Sequence, residues 1–318
     1  MILTRCPMRI GLAGGSTDLD KYMEHHGRGA VINFPINIYT YINVHQDLLG
    51  YSSYHSKYQI NYSKQEFTNK ADEIENDLVR VAFEHFNVPP CLLSMTGDVF
   101  ANGSGLASSS SYMISLIKAI TTMKSIRMSN FEISKLAMKL ERQVNPLLGY
   151  QDTYGCGIGS LKRMDFLLNE SPRITYMPVD LLTSFDMYVV FTGTTRSSTE
   201  ILKSIRVTHD DSLLKLVDEM ENSLMERDRS KFIEVIKEGW RVKKQTSENI
   251  LQHSVLKRMD EEYENNKAVL CHRLCGAGNG GFFLIFCDKG AKSRHKKGTS
   301  LKIDIDFDGA KVVYGGGK

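Results

Sequence analysis

The sequence predicts an α+β protein of two lobes, and three observations support this prediction. The 318 residues are 42% hydrophobic and 24% charged, a globular composition with length enough for about two domains. In the first half of the chain, strand-like segments alternate with helical segments. In the second half, helical segments with apolar stripes separate the strands, as expected for a layer of packed helices. We divide the lobes into residues 1–165 and 166–318.

Four strands are predicted in the first half. Residues 9–13 form a strand that runs into a glycine turn, and residues 30–45 are rich in Val, Ile and Tyr. We expect the second of these strands to be interrupted near Pro35. Residues 57–62 alternate in polarity and could pair with it, while residues 91–95 form a further strand.

Two helices of the first half have clear signals. Residues 73–86 carry apolar side chains at helical spacing. Ser129 and Glu132 form a capping box that begins the other helix. Pro146 and Gly149 end this second helix.

The second half is predicted from similar patterns. In order along the chain, the expected elements are a strand at 187–192, helices at 213–224, 232–240 and 242–263, and strands at 281–287, 302–307 and 312–314. The strand at 281–287 is apolar on both faces, so we expect it to be buried. The strand at 302–307 alternates in the manner of an edge strand.

Composition argues against several classes of function. The formal net charge of +3 and the absence of an extended basic stripe exclude nucleic acid as an expected partner. No apolar run approaches the ~20 residues that cross a bilayer, and no signal peptide is evident. We therefore expect a cytoplasmic protein without a membrane partner. The six cysteines lack metal-binding spacing, so buried free thiols are expected.

The most informative segment is the loop at residues 102–111, where two glycines precede four consecutive serines. An apolar pattern with helical spacing follows at once. The first N–H groups of a helix have no internal partners and attract anions, phosphate above all. A plain loop with a serine N-cap is the alternative.

Two further glycine loops accompany this one. Residues 11–18 end in Ser16, Thr17 and Asp18, whose side chains suit recognition of a polyol; alternatively, Thr17 or Asp18 caps a following helix. Residues 275–281 contain four glycines directly before the most apolar strand. This loop could bring backbone close to a ligand, or it could be a tight turn.

Two carboxylates follow the serine-rich loop. Glu141 lies on the edge of an apolar stripe and therefore needs a cation or hydrogen-bond donors. A salt bridge to Arg142 or a nearby lysine would satisfy it equally. Asp152 lies eleven residues further on, in a glycine-rich turn where an Asx-turn is the ordinary role.

Three motifs in this order resemble those of the GHMP small-molecule kinases, which include galactokinase and the homoserine, mevalonate and phosphomevalonate kinases. The motifs are Arg9-Ile-Gly-Leu-Ala-Gly-Gly-Ser-Thr-Asp18, Gly103-Ser-Gly-Leu-Ala-Ser-Ser-Ser110 and Leu274-Cys-Gly-Ala-Gly-Asn-Gly-Gly281. The resemblance extends from residue 5 to about residue 287. It implies the GHMP kinase fold, with a ribosomal protein S5 domain 2-like mixed sheet and helices in the N-terminal lobe. The C-terminal α+β lobe would hold an antiparallel sheet and a helical layer.

Within this family, the first motif is most similar to that of the heptose 7-phosphate kinases. Residues 150–154 and 192–197 also resemble that subgroup. Two positions depart from the family pattern. Ala107 replaces a usual glycine of the phosphate loop, so we expect the turn to avoid positive φ there, and Asn279 interrupts the glycines of the third motif.

The resemblance also implies a set of site residues. Asp152 would be the catalytic base, and Arg9 would stabilise its carboxylate or the transferring group. Mg²⁺ would be held by Glu141 and Ser109, with Ser108 as the alternative hydroxyl. ATP would be bound by Asn102, Gly103, Ser104, Gly105, Leu106, Ala107, Ser108, Ser109 and Ser110. The substrate would be bound by Gly15, Ser16, Thr17, Asp18, Arg196, Gly276, Gly278 and Gly280.

Arg196 is chosen because a phosphorylated acceptor needs a cationic fork; Lys162 and Arg163 are weaker candidates. The aromatic residues at 51–62 are candidates for the adenine pocket by location.

The activity that the resemblance implies is ATP-dependent phosphorylation of a sugar phosphate at its anomeric hydroxyl, with a heptose 7-phosphate as acceptor. Two alternatives stay open. The acceptor could be fucose or another free or phosphorylated sugar, or the chain could be a catalytically inactive ligand sensor. A homodimer is also left open.

Overall fold

Two β-sheets organise the protein. A computed structural model describes residues 1–46, 57–99, 103–195, 211–246, 248–291 and 299–315. The larger sheet contains β1 (Ile2–Ala13), β2 (Gly29–His45), β3 (Tyr58–Asn61), β4 (Gln65–Thr68), β5 (Leu92–Gly97), β6 (Lys162–Phe166), β7 (Arg173–Tyr176) and β12 (Lys311–Gly315). The smaller sheet contains β8 (Phe185–Phe191), β9 (Cys271–Leu274), β10 (Phe282–Asp288) and β11 (Ser300–Ile303).

Helices cover both sheets. They are α1 (Asp20–His26), α2 (Asp77–Phe86), α3 (Ser108–Met123), α4 (Asn130–Val144), α5 (Tyr150–Gly157), α6 (Asp180–Thr183), α7 (Ser212–Glu226), α8 (Arg229–Thr246) and α9 (Ser254–Asn265). Short 3₁₀ turns lie at Ala71–Glu73 and Glu248–Leu251. This mixture of sheets and helices confirms the predicted α+β class. The capping box is also confirmed, because the Ser129 side chain accepts from the Glu132 backbone and the Glu132 side chain from the Ser129 backbone.

β2 is the central strand of the larger sheet. Its first part pairs with β6, its last part pairs with β5, and β1 runs antiparallel along its other side. The only parallel pair among the ladders of the described residues joins β3 to β5. β12 returns to pair with β1, so the end of the chain completes the sheet in which it began. The division into lobes 1–165 and 166–318 stays a prediction.

The predicted interruption of β2 at Pro35 is wrong, since the strand continues through this residue. The ladder instead shifts register between Ile36 and Tyr39, opposite Pro7 and Met8. This irregularity lies between the stretch of β2 that pairs with β6 and the stretch that pairs with β5. Proline is tolerated at such irregularities because its missing N–H does not break a regular ladder.

Several other boundaries differ from the predictions. The strand at 58–61 pairs with β4 and β5 rather than with β2. The helices expected at 232–240 and 242–263 are instead one helix, α8, then a 3₁₀ turn and α9. β11 ends at Ile303, and Ile305 crosses to form a single bridge with Ile36 of the larger sheet.

The hydrophobic core is largest where the two sheets approach α7 and α8, and a second cluster lies between the larger sheet and α2, α3 and α4. All six cysteines are buried and free, as predicted. Within the described ranges, no helix combines the length and apolarity needed to cross a membrane.

Candidate active site

A cavity of about 1050 Å³ opens where the two sheets meet. Its central wall consists of the end of β1, the start of α3 and the start of α5. One end of the cavity is lined by Tyr62, Asn76, Leu78, Met95 and Tyr112, and we call it the β5 end. The opposite end is lined by Leu213, Leu216, Val235, Gly239 and Lys243, and we call it the α8 end.

The serine-rich loop forms part of the central wall, as its anion-binding pattern predicts. Gly103, Ser104, Gly105 and residues 107–110 line the cavity, and α3 begins at Ser108. The first N–H groups of a helix have no partners within the helix, so this helix start is placed to face a phosphate. Leu106 differs from its neighbours, because its side chain is fully buried in the core. Asn102 lies outside the described residues.

The expectation that Ala107 avoids positive φ is wrong. Its φ is 62°, and it precedes the first residue of α3 in the left-handed conformation. The turn that begins α3 requires the left-handed conformation at this position. Ala107 adopts this conformation at a cost of roughly 1–2 kcal/mol. Asn279 likewise has a φ of 57°, which asparagine tolerates better than most residues.

The serine-rich loop and the third glycine loop touch through their backbones. A Cβ at Gly281 would lie 2.2 Å from the carbonyl oxygen of Ser104, and a Cβ at Gly105 would lie 2.7 Å from that of Cys275. Only glycine permits so close an approach. The two loops, about 175 residues apart in sequence, therefore form one continuous wall.

Asp152 belongs to the first turn of α5, so the expectation of a turn at this position is wrong. Arg9 donates from Nε and Nη2 to its Oδ1 at 3.0 and 2.6 Å, and from Nη1 to the carbonyl of Gly105 at 3.0 Å. Oδ2 accepts no hydrogen bond from the parts of the chain that the structure describes. The Asp152 side chain is 26% exposed and lines the cavity. One oxygen is thus fixed, and the other is available to a ligand.

Glu141 lies in the same wall and is only 2% exposed. Hydroxyl groups satisfy it: Ser109 donates to Oε1, and Ser110 donates to Oε2 at 2.7 Å. The alternative salt bridge is not formed, because Arg142 pairs with Asp20. Burial raises the pKa of Glu141 to about 7, against the lowering effect of the two hydroxyls.

These donors fit a hard divalent cation. The Ser109 hydroxyl and the Glu141 carboxylate supply oxygen ligands beside the phosphate loop, and Mg²⁺ commonly takes one or two protein oxygens together with phosphates and water. A cation would also compensate a buried carboxylate that has only hydroxyl partners. No group of three or more His, Cys, Asp or Glu residues suited to a metal occurs in the described part of the chain.

Comparison with known proteins agrees with this geometry. Residues 82–160, which include the serine-rich loop, Glu141 and Asp152, match the GHMP kinases N terminal domain. The chain therefore carries the N terminal domain of the GHMP kinases, and its homologues identify it as a sugar kinase. Enzymes of this family are phosphotransferases that use ATP as co-substrate.

Two curated relatives and one solved structure are similar to the chain over most of its length. It is 27% identical to D-glycero-alpha-D-manno-heptose 7-phosphate kinase of Campylobacter jejuni over 90% of the chain and 89% of that protein. It is 25% identical to galactokinase of Thermococcus kodakarensis over 84% of the chain and 75% of that protein. A D-glycero-D-manno-heptose 1-phosphate kinase structure from Bacteroides thetaiotaomicron superposes with a TM-score of 0.74 at 20% identity, covering 99% of this chain and all of the other. This last likeness shows the fold.

Asp18 of the GHMP kinase is fully buried but belongs to the cavity lining. It does not cap α1, whose N-cap is Leu19. Its carboxylate accepts from the backbone N and the Nε2 of Gln151, at 3.0 and 2.8 Å. Burial and the charge of Asp152 raise the pKa of Asp18 to about 6. Sequence reasoning missed Gln151, which links the first loop to α5.

The prediction that Thr17 binds the substrate is wrong. Its hydroxyl donates to the carbonyls of Gly14 and Ala30, at 2.8 and 2.6 Å, and the residue is fully buried away from the cavity lining. It holds the first loop in shape. Gly15 and Ser16 do line the cavity, as predicted.

Only one of the three glycines of the third loop that were predicted to bind the substrate lines the cavity. Gly276 lines the cavity. A Cβ at Gly278 would meet Ile250 at 2.9 Å, and one at Gly280 would meet the carbonyl of Thr194 at 3.0 Å. These two glycines pack within the protein rather than lining the cavity.

The weaker phosphate candidates have other partners. Lys162 is fully buried, with Nζ bonded to the carbonyls of Gly155, Ile158 and Ser160. Arg163 pairs with Asp165, Asp218 and Glu221. Arg196, predicted to bind the substrate, lies outside the described residues, as do residues 51–56 of the predicted adenine pocket. Tyr62 does line the β5 end.

Sequence reasoning also missed Arg273, which is 9% exposed and lines the cavity. One signal was available, since a charged residue in a short apolar segment directly before a glycine loop is unusual.

Proposed function

We propose that this kinase transfers the γ-phosphate of ATP to the anomeric hydroxyl of a heptose 7-phosphate, giving the 1,7-bisphosphate. The product would serve the synthesis of nucleotide-activated heptose for surface polysaccharide. The observation that carries the proposal is the geometry of Asp152, with Oδ1 fixed by Arg9 and Oδ2 open to the cavity. The heptose kinase relative that matches over 90% of the chain supports the choice of acceptor.

Transfer requires a base, alignment and charge compensation. Asp152 accepts the proton of the acceptor hydroxyl while the new O–P bond forms to the γ-phosphorus. The bond between that phosphorus and the bridging oxygen breaks, and ADP leaves with the electron pair. Arg9 keeps the carboxylate oriented and supplies positive charge beside the transferring group. The loop around Gly103–Ser109 positions the phosphates of ATP.

Mg²⁺ is the proposed cofactor, with Ser109 and Glu141 as its protein ligands. When bound, it would neutralise charge on the ATP phosphates. The two serine hydroxyls hold the Glu141 carboxylate at the start of α3, so this part of the chain orients the metal ligands before ATP arrives. Asp18 and Ser16 also line the cavity and would hold sugar hydroxyls.

A second candidate is phosphorylation of another sugar, such as galactose or fucose. The curated galactokinase relative favours it, and the first loop can bind hydroxyls of any polyol. An inactive ligand sensor is disfavoured, because Asp152, Arg9 and Glu141 all face the cavity in arrangements suited to catalysis.

ADP release by the purified protein tests these candidates. The assay would contain ATP, Mg²⁺ and one acceptor at a time: heptose 7-phosphate, the same heptose without phosphate, fucose or galactose. We expect the largest kcat/KM with heptose 7-phosphate. A larger value for a free sugar would replace the proposed acceptor, and no turnover with any sugar would favour the sensor.

A further inference from the structure

Arg273 carries a buried positive charge that the proposed chemistry does not use. It lies in β9, two residues before the third glycine loop, and is 9% exposed. Among the residues described, its one hydrogen bond runs from Nη1 to the carbonyl of Leu12 at 2.6 Å, and no carboxylate lies within 4.0 Å. A guanidinium has five N–H donors. The other four donate to no residue that the structure describes, and Arg273 lines the cavity, where a ligand could accept from them.

The electrostatic surroundings of Arg273 disfavour its charge. Burial is the largest cause that lowers its pKa, and the nearby charge of Arg9 lowers it further, against a raising effect of Cys275. Arginine nevertheless stays protonated in proteins. A buried cation of this kind is costly unless an anion compensates it.

The position of Arg273 indicates which anion this is. Its partner Leu12 lies three residues beyond Arg9 on β1, about 10 Å along the strand at roughly 3.3 Å per residue. Arg9 holds Asp152, where the acceptor hydroxyl reacts. Arg273 is thus anchored to β1 at a backbone spacing from Arg9 that is comparable with the length of a sugar phosphate.

A second cation lies on the same loop. Lys243 of α8 lines the α8 end, and its Nζ donates to the carbonyl of Leu274 at 2.9 Å and to that of Gly276. Arg273 and Lys243 therefore flank the third loop and make this end of the cavity electropositive. Leu213 and Leu216 of α7 also line this end and help to close it.

We propose that Arg273 binds the phosphate group that the acceptor already carries, and so selects a sugar monophosphate over a free sugar. This inference rests on the proposed function and adds the residue that determines its specificity. The planar guanidinium can bind two phosphate oxygens at once. A free sugar would leave the buried charge uncompensated.

The test compares one heptose with and without its 7-phosphate as acceptor. We expect Arg273→Met to lower kcat/KM for heptose 7-phosphate by about 10- to 100-fold, the size of a lost charged hydrogen bond, chiefly through KM. The value for unphosphorylated heptose should change less than threefold, and Arg273→Lys should restore part of the preference. The matched control is Arg241→Met, an exposed arginine of α8 that pairs with Glu238.

The outcomes separate the two proposals. If the wild type prefers heptose 7-phosphate and Arg273→Met keeps the same preference, this inference is overturned while the proposed function stands. If the wild type does not prefer the phosphorylated heptose, both are overturned.

Inhibition of the wild type by inorganic phosphate supplies a second measurement that does not depend on the folding of Arg273→Met. We expect inhibition competitive with heptose 7-phosphate and not with ATP, and weaker inhibition of Arg273→Lys. Competition with ATP alone would place the anion on the Gly103–Ser109 loop and would contradict a role for Arg273 in acceptor binding.

Discussion

Glu141 and Asp152 are eleven residues apart and face the same cavity, yet their surroundings differ. Glu141 is 2% exposed and held by two serine hydroxyls. Asp152 has a side chain that is 26% exposed and is held by the Arg9 guanidinium. The first carboxylate has no compensating charge within the described residues, whereas the second has one.

This difference teaches how two carboxylates in one cavity can take separate roles. The hydroxyls around Glu141 orient its oxygens but leave its charge to be matched by a cation. Arg9 matches the charge of Asp152 and occupies one oxygen, so the other is left for a proton. Four experiments test this difference in role between the two carboxylates, with expected effects that decrease in the order given.

Replacing the proposed base should have the largest effect. We expect Asp152→Asn to lower kcat by about 10²- to 10⁴-fold, because the amide keeps the shape but cannot accept the proton. ATP affinity, measured by calorimetry, should change little. Asp165→Asn, which alters a partner of Arg163 outside the cavity, is the matched control. Turnover near the wild-type rate would show that Asp152 is not the base.

Replacing the other carboxylate should affect the metal instead. We expect Glu141→Gln to raise the Mg²⁺ concentration for half-maximal activity by about tenfold, since an uncharged amide is a weaker ligand. An Mg²⁺ titration at saturating ATP measures this change, with the exposed Glu84→Gln as control. An unchanged titration would show that Glu141 is not a metal ligand. The proposed difference in role between Glu141 and Asp152 would then be wrong.

The raised pKa of Glu141, about 7, makes stability depend on pH when no metal is bound. Between about pH 4.5 and 7 the folded protein keeps a proton that the unfolded chain has lost. The free energy of unfolding should therefore fall as pH rises through this window, by up to about 3 kcal/mol from this group. Asp18, whose pKa is raised to about 6, also lowers the free energy of unfolding as pH rises, up to about pH 6.

Urea unfolding without Mg²⁺ at several pH values measures this fall. Glu141→Gln should flatten the part of the curve that Glu141 causes, and added Mg²⁺ should stabilise the wild type most above pH 7. A wild-type curve parallel to that of Glu141→Gln would contradict the proposed proton on Glu141.

The smallest effect is expected from Lys162, which caps the end of α5 through three backbone carbonyls. α5 carries Asp152 but not Glu141. We expect Lys162→Met to lower kcat about 2- to 10-fold, because those carbonyls lose their partner and the helix is held less firmly. The Mg²⁺ requirement should not change. The exposed Lys139→Met is the control, and equal effects on kcat and the Mg²⁺ titration would rule out a role specific to Asp152.

Local patterns predicted the parts of the site that lie on one segment. The glycines and serines at 103–110 identified a helix start, and the stripe around Glu141 indicated that its carboxylate faces inward. The three motifs in order predicted the family. The family resemblance predicted that Ser109 lies beside Glu141, but neither the pattern nor the motifs predicted Ser110 as its second partner.

The remaining features depend on contacts between distant segments. Arg273 obtains its position from Leu12, some 260 residues earlier, and no local signal encodes that contact. Thr17 was predicted to face the substrate because its hydroxyl is suitable, but the fold uses it to bond Ala30. Ala107 adopts positive φ because the surrounding turn outweighs its own preference.

The backbone contact between the glycine loops has a consequence for how the acceptor range could change. Neither Gly105 nor Gly281 can gain a side chain without forcing the loops apart. Gly239, at the α8 end, differs: a Cβ there would meet only Leu216, at 3.9 Å. Related enzymes could thus narrow the α8 end of the cavity through substitutions on one helix, while the wall formed by the two glycine loops stays as it is.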